Sequence, residues 1–273
     1  MHQPDSSPFN TLPSPRRVAA KRGAAWINNA WRIFRMRPGK WFGMFFVMLV
    51  LIAPVSNFVP PLALPLLIFF VGGIMLSCDA LVEGGVLKFE YLFSGFKYKF
   101  VHLLVVSLIH TALYMLTSWI SGQVFDFGEL PNMDSAAIAQ AIRNGSLSIE
   151  QVVLFFMIDM LVFMPAMMAV WFAPALTVLQ DVRPLQAIKM SFCACMTNIP
   201  AFIVYTLSYA LIICASSIPS GFVLGILLSV FPNMPLLMPV FLLIFSLIFL
   251  ILTMIGYYTS YCDVWMPSDM ELE

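Results

Sequence analysis

The sequence predicts an all-α, polytopic helical membrane protein with six transmembrane helices. Hydrophobic residues make up 61% of its 273 residues and charged residues only 10%, against about 45–50% and about 25% in soluble globular domains. The apolar residues lie in six long runs with almost no charge, and about 20 apolar residues let a helix cross a bilayer core about 30 Å thick. These features exclude a soluble globular domain and a disordered chain.

The spans follow from the length of each run. Gly221–Phe231 is also apolar, but its 11 residues are too few to cross a bilayer, so we expect an interfacial or re-entrant segment there. A short helix is expected over Asp134–Arg143, between the third and fourth spans. The six predicted spans are Trp41–Val59, Pro61–Ala80, Phe100–Ile120, Val152–Leu179, Ile199–Ser217 and Pro235–Tyr258.

The basic residues predict the orientation. Eight of the 14 Lys and Arg residues precede the first span, and positive charge in short loops stays on the cytoplasmic side. We therefore predict a multi-pass protein of the bacterial inner membrane with both termini in the cytoplasm. Residues 1–23 are expected to form a disordered basic tail, 24–264 a single transmembrane domain, and 265–273 a short acidic tail.

The chain also suggests three parallel two-helix repeats. An amphipathic segment precedes each odd-numbered span, and each even-numbered span ends at an aspartate: Asp79, Asp181 and Asp263. Units of two spans keep one orientation, so they would be related by an axis along the membrane normal. The alternative is a coincidence of ordinary membrane-protein sequence features. The three amphipathic segments lie around Trp26–Phe34, Val86–Tyr98 and Leu185–Met196.

Each amphipathic segment is predicted to lie at the cytoplasmic membrane interface. In the first, apolar residues share one face and arginines the other, which is typical of a helix lying among lipid headgroups. We expect Trp26, Trp31, Arg32 and Arg35 to contact this interface, with anionic lipid as the partner of the arginines.

Two ionisable side chains lie well inside spans, where such groups are costly and often functional. His110 is halfway through the third span, and Asp159 is near the outer end of the fourth. Because consecutive spans run in opposite directions, the two side chains are expected at similar depth. Their pair could serve a proton relay or bind a ligand, or it could be an interhelical hydrogen bond that satisfies both groups.

The fourth span also contains Pro165 and Pro174. Proline removes a backbone donor, so a helix kink is expected between Met164 and Ala175, either for packing or beside a substrate. The sequence lacks catalytic and metal-binding motifs, so neither enzymatic activity nor a cofactor or metal site is expected. The five cysteines are expected to be reduced, because their spacing fits no metal site.

Three stretches carry a family resemblance: AWINNAWRIFRMRPGKW (25–41), GGIMLSCDALVEGG followed by LFSGFK (72–97), and WFAPALTVLQDVRPLQAIKMSFCACMTNIPAF (171–202). The chain resembles uncharacterised six-helix inner-membrane proteins of Gram-negative bacteria. That group is distantly similar to YciC-type proteins and to the membrane domain of some glycerophosphodiester phosphodiesterases. The resemblance implies an inner-membrane location but brings no agreed activity and no functional residues. Phosphodiesterase chemistry is not expected, because the catalytic domain of those fusions is absent here.

Two functions remain open from the sequence. The first is a non-catalytic accessory or scaffold protein in envelope or lipid homeostasis, with membrane lipids as partners and with a protein partner or homo-oligomer possible. The second is a small transporter or channel that uses His110, Asp159 and the kinked fourth span. Nucleic acid is not an expected partner.

Overall fold

The computed structural model describes residues 14–124, 130, 133, 135–234 and 236–266. Every regular element in this part of the chain is helical, and six helical spans are long and apolar enough to cross a membrane: α2, α3, α5, α7 with α8, α10 and α11. The all-α prediction with six membrane-spanning helices is confirmed. The elements are α1 (Arg22–Met36), α2 (Pro38–Phe58), α3 (Pro60–Val82), a 3-10 turn (Phe89–Phe93), α4 (Ser94–Lys97), α5 (Phe100–Val124), α6 (Ser135–Arg143), α7 (Ile149–Val170), α8 (Ala173–Leu179), α9 (Pro184–Thr197), α10 (Ile199–Val230) and α11 (Leu237–Trp265).

The prediction of an interfacial or re-entrant segment at Gly221–Phe231 is wrong. Residues 221–230 continue α10, a helix of 32 residues that contains Pro219, and the Phe231 N–H still donates to Leu227 O at 2.9 Å. In an apolar environment a helix that continues past a proline keeps more backbone groups paired than a chain that leaves the helix. The short helix predicted between the third and fourth spans is confirmed as α6, while Asp134 lies outside the described residues.

The structure differs from the predicted disordered tail over residues 14–23: Arg22 and Gly23 begin α1, and Arg16 and Val18 are hydrogen-bonded to the bundle. The Arg16 N–H donates to Val264 O at 2.9 Å. The Asn198 side chain binds the same segment through two hydrogen bonds. Its Oδ1 accepts from Val18 N–H at 2.8 Å, and its Nδ2 donates to Arg16 O at 2.9 Å. Residues 1–13 and 267–273 of the predicted tails lie outside the described residues, and Trp265 belongs to α11.

These contacts also place the beginning and the end of the described chain on one side of the helix bundle. We call this side, which carries residues 14–21, α1, α4 and α9, the tail face. The opposite side, which carries α6, is the loop face. With six spans and both ends of the described chain at the tail face, the even number of crossings in the prediction agrees with the structure.

The buried core lies in the half of the bundle next to the tail face. Met48 is the last buried residue of α2, Tyr205 the last of α10, and Leu247 the first of α11, all three helices being described throughout. Toward the loop face the same helices expose apolar side chains such as Leu211 and Phe222. The helices therefore pack as a protein core at one end and present apolar surface to lipid at the other.

Each helical segment of the tail face packs on a different part of the bundle. Helix α1 packs on α10 and α11, the 3-10 turn and α4 pack on α3, and α9 packs on α7 and α8. The approaches are close: a Cβ added to Gly23 would lie 2.0 Å from Ala201 O, and one added to Gly95 would lie 2.1 Å from Phe69 O. Only glycine fits at these two contacts.

Candidate functional site

A cavity of about 210 Å³ lies inside the membrane-spanning bundle between α3, α5, α7, α8 and α11. Its wall is mostly carbon, with aromatic rings from three helices and one imidazole. Stacked rings of Tyr114 and Phe163, with centroids 4.8 Å apart, form one side, and the edge-to-face pair Trp171 and Tyr257, 4.3 Å apart, forms another. The lining residues are Leu64, Leu67, Ile68, Val71, His110, Tyr114, Phe163, Ala166, Met167, Val170, Trp171, Pro174, Met254 and Tyr257.

His110 supplies the imidazole of this wall. It continues the buried face of α5, on which Leu103, Val106 and Ser107 precede it at helical spacing. The residue is 6% exposed, and its Nδ1 has no hydrogen-bond partner among the described residues. An unsatisfied buried polar atom costs about 1–3 kcal/mol, so a group that hydrogen-bonded to this imidazole would stabilise the folded protein.

The structure does not bring His110 and Asp159 together. Tyr114 stacks on Phe163, which sets the antiparallel alignment of α5 and α7. His110 lies four residues from Tyr114 toward the tail face, and Asp159 lies four residues from Phe163 toward the loop face. At 1.5 Å per residue their depths differ by about 12 Å, and no hydrogen bond joins them within the described part of the chain.

The fourth span is interrupted where a kink was predicted. Helix α7 contains Pro165 and ends at Val170, and α8 begins at Ala173 with Pro174 in its first turn. The two residues between the helices are Trp171 and Phe172. Pro174 has no N–H to donate and suits the first turn of a new helix, which explains why the break comes before it.

The Ser191 hydroxyl repairs this break. In an unbroken helix the Phe172 N–H would donate to Met168 O; instead it donates to Ser191 Oγ at 2.9 Å, and that hydroxyl donates to Met168 O at 2.8 Å. The Cys195 thiol, one turn further along α9, also lies 3.6 Å from Met168 O. Burial raises the pKa of the Cys195 thiol, so it stays protonated and can donate there.

Asp263 forms the most extensive polar contact of the tail face. The Arg22 guanidinium donates to both carboxylate oxygens, Nη2 to Oδ1 at 2.7 Å and Nε to Oδ2 at 2.8 Å. The Trp26 indole also donates to Oδ2 at 2.8 Å, and Arg16 donates to the Asp263 backbone carbonyl at 2.7 Å. The carboxylate is 7% exposed, so α1 is fixed to the end of α11 by a buried, charge-assisted contact.

The other two aspartates that end even-numbered spans lie in different surroundings. Asp79 is half-buried and accepts from the Tyr258 hydroxyl of α11 at 3.0 Å. Asp181 is exposed and pairs with Lys99. The hydrogen bond from Lys99 lowers the pKa of the Asp181 carboxyl. The three acids of the repeat pattern therefore all bind a partner from another segment, but with unequal burial.

The predicted interface residues divide into two groups. Trp31, Arg32 and Arg35 are exposed on α1, which suits contact with lipid headgroups. Trp26 is fully buried against Phe202, with ring centroids 5.2 Å apart, so the prediction that it contacts the interface is wrong. Its indole N–H is satisfied by Asp263 inside the protein.

Several residues of these contacts could not be found from the sequence. Ser191 and Asn198 are ordinary polar residues in helical stretches, and their partners in space are distant in the chain. Arg22 is 241 residues from Asp263. All five cysteines are free thiols, and in the part of the chain that the structure describes no group of three or more His, Cys, Asp or Glu residues could hold a metal ion.

Comparison with known proteins supports the membrane assignment. The chain is similar to a probable inner membrane protein of Burkholderia thailandensis, with 28% identity over 197 residues that cover 70% of this chain and 73% of that protein. No family model matches the chain, and no solved structure matches it. With its six apolar helices, the chain is a multi-pass inner-membrane protein. The more distant likeness to YciC-type proteins and to the phosphodiesterase membrane domain stays a prediction.

Proposed function

We propose that this protein is a non-catalytic accessory or scaffold component in envelope or lipid homeostasis, with its tail face and both termini in the cytoplasm. The observation that carries the proposal is the use of its buried polar groups. Asp263, Asn198 and Ser191 each join a tail-face segment to a spanning helix. Their hydrogen bonds hold the tail-face segments on the bundle, and they do not line an open reaction cleft.

The three-unit repeat is part of this proposal. It is supported by the packing of the tail-face segments: α4 packs on the first pair of spans, α9 on the second and α1 on the third. Three pairs of spans arranged in a ring would display three equivalent segments toward the cytoplasm. That surface would suit lipid headgroups or a protein partner.

The exposed basic residues of α1 are the proposed lipid contact. Trp31, Arg32 and Arg35 lie on the side of the helix that faces away from the core. Each Lys or Arg near a surface of anionic lipid contributes about 1 kcal/mol to attraction, so two arginines favour retention of anionic over zwitterionic lipid.

Native mass spectrometry of the full chain, extracted in mild detergent, tests this contact. The double variant Arg32→Gln with Arg35→Gln should lose bound anionic phospholipid relative to the wild type, since both charges are removed. Arg143→Gln, at the loop face, is the matched control and should retain it. Equal lipid adducts on all three proteins would contradict the proposal.

A transporter is the second candidate, because the interrupted fourth span lies beside the cavity. Broken spanning helices often hold substrate at mid-membrane depth. For a transporter, Asp159→Asn should abolish flux into vesicles while the protein stays folded. For a scaffold, the Asp159→Asn variant should restore the phenotype of a strain that lacks the gene. The Arg32 and Arg35 double variant should not restore it.

A further inference from the structure

The intramembrane cavity has the size of one substituted six-membered ring. Its 210 Å³ exceeds the roughly 150 Å³ of an engineered apolar protein cavity that stays dry and binds benzene. It is smaller than the about 300–1,000 Å³ of pockets for larger drug-like ligands. Four aromatic residues supply ring faces and edges to its wall: Tyr114, Phe163, Trp171 and Tyr257.

The described wall of the cavity has few polar side chains: besides His110 and Trp171 there are only Tyr114 and Tyr257. A buried water needs two to four polar partners, and most of this wall is carbon. The Trp171 indole N–H already donates to Ser260 Oγ at 3.0 Å. His110 lines the same wall and its Nδ1 has no partner among the described residues. A ligand with an apolar body and one polar atom of its own would match this lining.

Part of the cavity wall is exposed on the outer surface of the membrane-spanning helices. Tyr114 and Met167 of its wall are 43% and 41% exposed, and both lie within the membrane-spanning segments of α5 and α7. A ligand that enters past them must dissolve in the bilayer, and it must be neutral because no charged partner for it lines the described wall.

We propose that this cavity binds a neutral, lipid-soluble molecule whose six-membered ring carries a carbonyl or hydroxyl oxygen, with that oxygen hydrogen-bonded to His110. A quinone head group and a phenol share this chemistry. A neutral imidazole can donate from one ring nitrogen and accept at the other, so it serves either oxygen. The site does not depend on the accessory role proposed above.

Three probes with one carbon skeleton test the site: duroquinone, which has two carbonyls, durohydroquinone, which has two hydroxyls, and durene, which has no oxygen. The full chain is placed in phosphatidylcholine nanodiscs, and its unfolding temperature is followed against the mole fraction of each probe in the bilayer. A ligand that binds the folded protein raises this temperature. At least one oxygen-bearing probe should bind about ten-fold more tightly than durene, the gain from one buried hydrogen bond.

Two variants distinguish the contribution of the His110 hydrogen bond from that of the cavity volume. His110→Leu should weaken the oxygen-bearing probe about ten-fold and leave durene within about two-fold. Ala166→Leu, which fills the cavity, should weaken all the probes, and His102→Leu, outside the cavity, should weaken none. If durene binds as tightly as the other two, or if His110→Leu changes nothing, the proposal is overturned. Should His110→Leu fail to fold, a lack of effect from Ala166→Leu overturns it equally.

Discussion

Loss of the Asp263 carboxylate should strongly destabilise the tail face. It accepts three charge-assisted hydrogen bonds at 2.7–2.8 Å from Arg22 and Trp26. Breaking a buried ion pair costs about 3–5 kcal/mol, but the Arg22 side chain is 30% exposed and regains part of this from solvent. The Trp26 indole stays buried without an acceptor, which costs about 1–3 kcal/mol. We expect Asp263→Ala to lower the free energy of unfolding by about 3 kcal/mol.

Asp263→Asn should cost less, about 1–2 kcal/mol, because the amide oxygen still accepts one hydrogen bond. Unfolding in mixed micelles, titrated with SDS and followed by tryptophan fluorescence, measures both variants. Asp181→Asn is the matched control: it lies at the same place in the repeat pattern, but its carboxylate is exposed to solvent, so its loss should cost much less than the loss at Asp263. Equal losses at Asp263 and Asp181 would refute the reasoning.

Three further changes have expected outcomes. Gly23→Ala should prevent α1 from docking and sharply lower the unfolding temperature, since the new Cβ would lie 2.0 Å from a backbone oxygen. Gly225→Ala is its control, because no described atom lies within 4 Å of the new Cβ. That change should be neutral or raise the free energy of unfolding by up to about 1 kcal/mol. Ser191→Ala should cost about 1–3 kcal/mol in the same SDS titration, because the break in the fourth span loses its bridge. The Asp181 pKa is lowered by Lys99, so this pair stabilises the protein above the ordinary aspartate pKa. The stability difference between wild type and Asp181→Asn should shrink as the pH falls below about 4 and vanish once the pH lies below the lowered pKa of Asp181. A difference that grows on acidification would contradict this assignment.

The sequence predicted those features that the bilayer itself imposes. Six apolar runs gave six spanning helices because an unpaired backbone group is too costly in hydrocarbon for any other local structure. The prolines placed the break of the fourth span correctly, since the missing N–H of Pro174 acts locally. Both arguments need only neighbouring residues and the thickness of a membrane.

Features that depend on three-dimensional alignment were beyond such arguments. His110 and Asp159 were expected at one depth by counting from span ends, but the third span has 22 residues and the fourth 31, so equal counts do not give equal depths. Trp26 was assigned to the interface by composition, yet a tryptophan is equally suited to a core in which its N–H has an acceptor. Its acceptor, Asp263, lies 237 residues away in the chain, and no local sequence pattern predicts this contact.

The position of α1 leads to a last prediction, on circular permutation. Helix α1 precedes the first pair of spans in the chain but packs on the third pair, α10 and α11, and Arg16 N lies 2.9 Å from Val264 O. If the tail-face segments form a closed ring, the peptide bond between Arg37 and Pro38 is dispensable. A permuted chain that starts at Pro38 and joins Glu273 directly to Met1 should therefore fold with α1 in its native place.

The permuted chain needs a readout that is specific for α1. Its unfolding midpoint in SDS should lie near that of the wild type, and Gly23→Ala should destabilise both proteins by similar amounts, because the contact with Ala201 is the same in each. The same loss from Asp263→Ala in both chains would show that Arg22 and Trp26 have found their acceptor again. If the permuted chain inserts and folds but is indifferent to Gly23→Ala and Asp263→Ala, then α1 reaches its place only through its link to α2, and the ring is not closed.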